Sequence, residues 1–442
     1  MCGGGVAAVE AVLALRELLA LRPHIDLIAP NRDFVYAPMA VAQSFDLAET
    51  TLFELAELAE DLDVTLHADS LARVDAAEHR VVLADGPPIS YDAAVIAVGA
   101  RHRAWLEGAT SFGGGEDAAA FAGLLERLER GETSRLAFVA SPRASWTLPL
   151  YELALLTSSR LAERGVGGVE LTILTPEADP LAIFGAGTSR MLRDQLADRG
   201  IRLRVGAIVD ALGRGRLELD GGKVLEVDEV VALPVPEGPR VEGLPADAEG
   251  FIRVDDHCRV EGLQDVYAAG DGTDFPIKQG GLATQQADVA AESIAAGLGA
   301  PLEPSAFEPM LRGMLLTGIA PMYLRASADA AGGRNGELAA NALWWPPTKI
   351  AGRYLGPYLA YASRLDKHTM LEDRPVSTLD PDALHASQDE ARELALVFAD
   401  ADARGGDFRS ALGWLELLER LDGVLPAGYV ERREAWRAHI SR

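Results

Sequence analysis

The chain has 442 residues, with 48% hydrophobic and 24% charged, an ordinary globular balance and a length suited to two or three domains. Its net charge is −26 and its isoelectric point is near 4.7. That excludes the basic footprint nucleic acid needs and disfavours a purely electrostatic dock on anionic lipid.

Two cysteines, Cys2 and Cys258, occur without a CxxC or a Cys/His cluster, so no metal and no disulfide framework is expected. No apolar run is long enough to span a membrane, and no signal peptide is visible. The expectation is a cytoplasmic protein, with peripheral contact on the inner face of a membrane.

At the N-terminus Gly3, Gly5 and Ala8 match GxGxxA. The first glycine makes a tight turn, the second lets backbone approach a pyrophosphate, and the small third residue lets helix pack on strand. A helix over 6–21 and a strand over 25–29 follow at βαβ spacing. Only Met1 and Cys2 precede the glycines, so the central strand of this unit is expected to be missing: either the start lies upstream or the chain lacks the element. A flexible glycine tail is the alternative reading. Residues 91–98 form a continuous apolar strand, as buried strands do. It is closed by Gly99-Ala100 and preceded by a hairpin-like segment over 81–90.

A polar connector with a helix over 116–130 leads to a second α/β unit. Its strands are expected at 135–140, 169–175, 202–206, around 215–227 and at 229–233, with helices over 149–164 and 186–199. The loop after its first strand reads Ser141-Pro142-Arg143-Ala144-Ser145-Trp146-Thr147-Leu148-Pro149 and holds no glycine. Trp146 obstructs close backbone approach, and the prolines remove N–H donors. Ordinary NAD(P) binding is therefore doubtful here, and a nucleotide bound through another loop is the alternative.

Residues 263–294 carry the strongest signal. Val266–Ala269 is an apolar strand ending in Gly270-Asp271; a glycine-rich turn follows, then a helix rich in Ala and Gln. A carboxylate at a strand tip suits a ribityl hydroxyl, and a helix start suits a group that gains negative charge. A flavin has both features. Lysine occurs only at 223, 278, 349 and 367, which singles out Lys278 inside this motif. Further on, Leu343–Tyr358 is rich in aromatics beside Lys349 and Arg353. That cluster packs a domain or dimer interface, or lies at a membrane surface. Residues 380–442 read as amphipathic helices, with one weak resemblance to a tetratricopeptide helix at 406–412.

Together these segments resemble the FAD-dependent pyridine nucleotide-disulfide oxidoreductase superfamily over about residues 1–365. Phe34-Val35-Tyr36-Ala37-Pro38 is similar to the flavin-side loop of sulfide:quinone reductases and type II NADH dehydrogenases. Pro149-Leu150-Tyr151-Glu152 is similar to a Pro-x-x-Tyr-Glu segment of sulfide:quinone reductases and flavocytochrome c sulfide dehydrogenases. Two departures stand out. The redox cysteine pair of the sulfide-oxidising relatives is absent, with Cys258 on what reads as a polar turn. The acid that holds the adenosine ribose is also absent, since Ala29 and Pro30 take its place, leaving Asn31 or Asp33.

The resemblance implies an α/β fold with two Rossmann-like FAD/NAD(P)-binding domains, a small C-terminal domain and a helical tail. The boundaries are 1–100 plus 245–304 for the FAD domain, 101–244 for the NAD(P)-like domain with its degenerate loop, 305–375 for the small interface domain and 376–442 for the tail. FAD would be held by Gly3, Gly5, Ala8, Asn31, Tyr36, Pro38, Val98, Gly99, Ala100, Gly270, Asp271, Lys278, Gln279, Gly281, Leu282 and Ala283. Lys278, Tyr151 and Glu152 are the catalytic candidates, and Gln285 and Gln286 would line an acceptor site. The implied activity passes two electrons from a small-molecule donor through FAD to a quinone or other acceptor, with a homodimer as the expected assembly. An NAD(P)H dehydrogenase with an unusual nucleotide loop, or a non-catalytic flavin-binding or interaction subunit, are the alternatives.

Overall fold

The computed structural model describes residues 1–20, 22–36, 39–48, 51–114, 117–329, 332–344 and 348–359, with parts of 396–440. By contacts the chain divides into a unit of residues 1–361 and a second of 362–442. In the second unit the helix Tyr429–Ile440 is described, and Ala411, Leu415, Leu418 and Trp436 are among its buried residues. Residues 380–395 of the expected helical tail lie outside the described residues.

The first sheet is parallel. It contains β1 (Asp26–Ile28) beside β4 (Thr65–His67), and β8 (Ala94–Ile96) beside β19 (Val266–Ala268). Cys2 bridges Ile28 on one side and Ile96 on the other, both in parallel. Residues 1–3 therefore lie at the centre of the sheet, where the strand was expected to be missing. Four backbone bonds fix them: Cys2 N to Val95 O, Gly3 N to Ile28 O, Ile28 N to Met1 O and Ala97 N to Cys2 O, at 2.7–2.9 Å. Both flanking strands satisfy their backbone groups, as burial demands.

α1 (Val6–Leu18) leaves this centre with Ala7, Ala8, Val9 and Ala11 buried and packs on α7 (Gly280–Gly297). Small side chains on both helices allow the close approach. An antiparallel hairpin, β2 (Asp33–Tyr36) with β3 (Thr51–Glu54), follows β1. The short helices α2 (Ala40–Gln43) and α3 (Leu55–Asp61) flank it. β5 (Leu71–Asp75), β6 (Arg80–Leu83) and β7 (Ile89–Ser90) form a small antiparallel sheet. β9 (Arg101–Arg103) pairs antiparallel with β18 (Val235–Glu237), so the chain leaves the first α/β unit and returns to it side by side.

The second parallel sheet runs β10 (Thr110–Ser111), β17 (Glu229–Ala232), β11 (Arg135–Val139), β12 (Glu170–Leu174), β13 (Arg202–Arg204). It is covered by α4 (Ala118–Glu129), α5 (Leu148–Glu163) and α6 (Gly185–Asp198). β14 (Val209–Gly213), β15 (Arg216–Leu219) and β16 (Lys223–Glu226) make an antiparallel meander beside it. Strands alternating with helices predict a parallel sheet; here the helices pack on one face and the meander on the other, the expected elements end within about two residues of the observed ones, and β14 was not expected.

The C-terminal part of the first unit is an antiparallel sheet of β20 (Met310–Leu315), β21 (Met322–Asp329) and β22 (Gly332–Ala339). Alternation sends Leu311, Leu315, Leu324 and Ala326 into the core built around α5. The aromatic segment after it turns inward. Trp344 is buried edge-on to Tyr323 at 5.3 Å and donates from Nε1 to Thr348 O at 2.8 Å. Tyr358 donates to Asp61 at 2.6 Å. Cys258, expected on a polar turn, is buried in a left-handed conformation, and burial raises its thiol pKa. No helix among the described residues is long and apolar enough to cross a membrane.

Candidate functional site

The carboxyl ends of the first sheet converge on one cradle. Gly3 has φ +127°, and a Cβ there would lie 2.1 Å from Ala97 O, so only glycine fits between the strands. Gly5 caps α1 without a side-chain bond, and a Cβ on it would meet nothing within 4 Å. Open space thus lies at the start of α1, beside the centre of the sheet, and a helix start with free N–H groups suits a pyrophosphate. Gly270, at φ +85°, touches both helices: its Cβ would lie 3.2 Å from Ala7 Cβ and 3.5 Å from Ala283 Cβ. Gly99, also left-handed, brings its carbonyl to 3.0 Å from where a Cβ of Gly272 would stand. Val98 is partly exposed beside it.

Asp271 lies at this convergence. Burial raises its pKa, and Lys278, His102 and the Gln279 N–H oppose the rise. A desolvated carboxylate at that spot suits a hydroxyl donor. Gln286 of α7 fixes the loop: its Oε1 accepts from Gly270 N at 2.8 Å, and its Nε2 donates to Thr273 Oγ1 at 3.1 Å. α7 begins at Gly280 with Gln279 as an N-cap that makes no side-chain bond to the helix. Leu282 and Ala283 are buried in its first turn. The open glycine loop, the uncapped helix starts and the desolvated acid fit the pyrophosphate, ring edge and ribityl chain of FAD.

Other expected residues are placed differently. The Lys278 ammonium is turned into the protein, donating to Thr273 O and Phe275 O at 2.5 and 2.6 Å over the Phe251 ring. Burial lowers its pKa to about 8. Gln279 Nε2 donates to Arg312 O. Gln285 is clamped to Met310 through both backbone groups and lines a surface pocket with Asp288 and Phe307. Asn31 is exposed just beyond β1. Tyr36 reaches Ile350 O at 3.5 Å, and Ile350 packs where a Cβ of Gly280 would stand. Pro38 lies outside the described residues.

Tyr151 and Glu152 are neighbours on α5 with separate partners. Tyr151 donates to Glu177 Oε2 at 2.6 Å. Glu152 is fully buried; Lys349 Nζ lies 2.7 Å from both of its carboxylate oxygens, and Leu316 N donates to it at 2.8 Å. Burial raises the Glu152 pKa, and Lys349 opposes the rise.

Three of these partners were not singled out from the sequence. Lys349 had a signal, as one of four lysines. Glu10 had another, as an acid inside the apolar run of α1: it is buried, accepts from Tyr354 N and Leu355 N, and faces Asp288. Glu177 had none, because nothing local marks which acid lies past a strand tip.

Fold and cradle together define an α/β protein with two dinucleotide-type sheets, the first of which carries a cradle whose residues fit FAD. The pyridine nucleotide-disulphide oxidoreductase family profile matches residues 152–293. The chain is 27% identical over 347 residues to the alternative NAD(P)H-ubiquinone oxidoreductase C1 of Arabidopsis thaliana, covering 65% of this chain and 63% of that one. It is 26% identical over 340 residues to the demethylphylloquinone reductase NdbB of Synechocystis sp., covering 70% and 81%. The sulfide:quinone oxidoreductase structure from Aquifex aeolicus superposes with a TM-score of 0.70 at 20% identity, covering 76% of this chain and 85% of that one. That likeness is one of fold.

Proposed function

We propose that the chain is an FAD-dependent oxidoreductase that passes two electrons from a small-molecule donor to a quinone. The observation that carries this reading is the convergence of the α1 start, the Gly270-Asp271 tip and the α7 start on one glycine-lined cradle. The names of the relatives in Arabidopsis and Synechocystis support the acceptor class. When bound, the flavin supplies the two-electron chemistry, while protein groups orient and tune it.

In this reading Gly3 and Gly5 admit the pyrophosphate to the α1 N-terminus. Asp271 holds the ribityl chain, and the α7 dipole favours negative charge at the ring edge. Tyr36 and Ile350 close the α7 start against water. The Glu152–Lys349 pair joins α5 to the segment 348–350 beside that closure. Peripheral contact at the inner face of a membrane and a homodimer stay part of the proposal.

The test is the visible spectrum of the purified, FAD-supplemented protein under anaerobic dithionite, followed by a water-soluble quinone. We expect a flavin spectrum that bleaches and returns with quinone. Asp271→Ala should lose flavin with unchanged circular dichroism, with affinity reduced by roughly 10- to 150-fold for one lost bond to a charged group. A colourless wild type would overturn the flavin reading. A bleached protein that quinone leaves reduced would overturn the acceptor.

A further inference from the structure

The crevice at the carboxyl ends of the second parallel sheet is where this fold would seat a nicotinamide dinucleotide. In this chain its own residues stand in each part of that crevice. The pyrophosphate position is the start of α5. Pro149 there has no N–H, and Leu150 N is already bonded to Thr147 O at 3.0 Å. Trp146 lies edge-on to Phe184, with ring centroids 5.9 Å apart, across the same loop.

The ribose position is an acid just past the tip of the second strand. Glu177 follows β12 there, and its acceptors are taken. Oε2 accepts from Tyr151 Oη at 2.6 Å and from Thr175 Oγ1 at 2.8 Å, while Oε1 accepts from Leu181 N at 3.1 Å. The Thr147 hydroxyl bonds it as well.

The third sheet covers the mouth. A Cβ on Gly313 of β20 would lie 2.8 Å from Leu148 Cδ1 and 3.1 Å from Phe184 Cζ. One on Gly336 of β22 would lie 1.9 Å from Phe184 O. Both glycines are close-packed against the residues that frame the crevice.

We propose that Tyr151 determines donor specificity: its phenol takes the acceptor this fold reserves for a nucleotide ribose. With the Pro149 turn and the β20–β22 sheet, it closes the second site to NADH and NADPH. A site whose polar groups pair with one another rejects a ligand strongly, because the ligand must break those bonds before making its own. The inference deepens the oxidoreductase reading above and rests on it. Reducing equivalents then come from a donor that reaches the flavin without a dinucleotide pocket.

The test is calorimetric titration of the FAD-loaded protein with NADH, NADPH and ADP-ribose, alongside anaerobic spectra with NADH and then dithionite. We expect no saturable heat with wild type at millimolar nucleotide, and a flavin that dithionite bleaches but NADH does not. Tyr151→Phe keeps the buried ring and frees one Glu177 acceptor. It should bind ADP-ribose at least about tenfold more tightly than wild type, the worth of one hydrogen bond to a charged group. Saturable NADH binding or bleaching by NADH in wild type would overturn the proposal. A Tyr151→Phe protein no better than wild type would overturn the role of Tyr151. If dithionite fails to bleach, the fault lies in the flavin reading, and the ADP-ribose titration still decides this one.

Discussion

Breaking the Glu152–Lys349 pair tests how the third sheet and its following segment are held on α5. Glu152 has no exposed surface, and only 10% of the Lys349 side chain is exposed. Lys349→Met leaves a buried carboxylate held by the Leu316 N–H, and removing one member of such a pair costs about 3–5 kcal/mol.

The loss carries a pH signature. Without Lys349 the Glu152 pKa rises further above its ordinary value of 4.5. The folded state then binds its proton more tightly than the unfolded state does. Stability is therefore retained below about pH 4.5 and lost as pH rises through the raised folded value. The assay is urea denaturation of wild type, Lys349→Met, Glu152→Leu and the double variant at pH 5 and pH 8. We expect Lys349→Met to lose more at pH 8 than at pH 5, and the double variant to recover much of that loss, since apolar replacement of a buried pair is often neutral. A Lys349→Met cost below about 1 kcal/mol at pH 8, or double-variant losses that simply add, would refute a desolvated ion pair here.

Two further outcomes follow from the cradle. Gly3→Ala should prevent folding of the first sheet, because its Cβ meets Ala97 O, whereas Gly5→Ala should fold normally and lose FAD affinity alone. Circular dichroism beside flavin content separates the two, and equal behaviour would contradict the geometry. Glu10, held by burial at a pKa of about 7 beside Asp288, makes stability fall as pH rises from about 4.5 to about 7. Asp288→Asn should flatten the pH dependence of the denaturation midpoint, because it removes a second acid whose own pKa burial and Glu10 push up.

Much of this molecule is legible in its sequence because its signals are local. The βαβ alternation follows from apolar periodicity, and Gly3, Gly5 and Gly270-Asp271 are marked by backbone demands that few other residues meet. The absence of glycine from 141–149 is equally plain, since a pyrophosphate loop has local requirements that can be seen to fail.

What the sequence could not assign depended on distant partners. Cys2 shows no sign of lying in the sheet until Ile28 and Ile96 flank it. Lys278 reads as a charge for the flavin until Thr273 O, Phe275 O and the Phe251 ring claim its ammonium. Tyr151 and Glu152 both read as catalytic candidates, yet adjacent positions on a helix point about 100° apart, and the tertiary fold pairs one with Glu177 and the other with Lys349. The sequence by itself determined the two nucleotide-type units and the cradle of the first. Only the tertiary structure decided which charges are free to act, because burial and pairing arise between segments far apart in the chain.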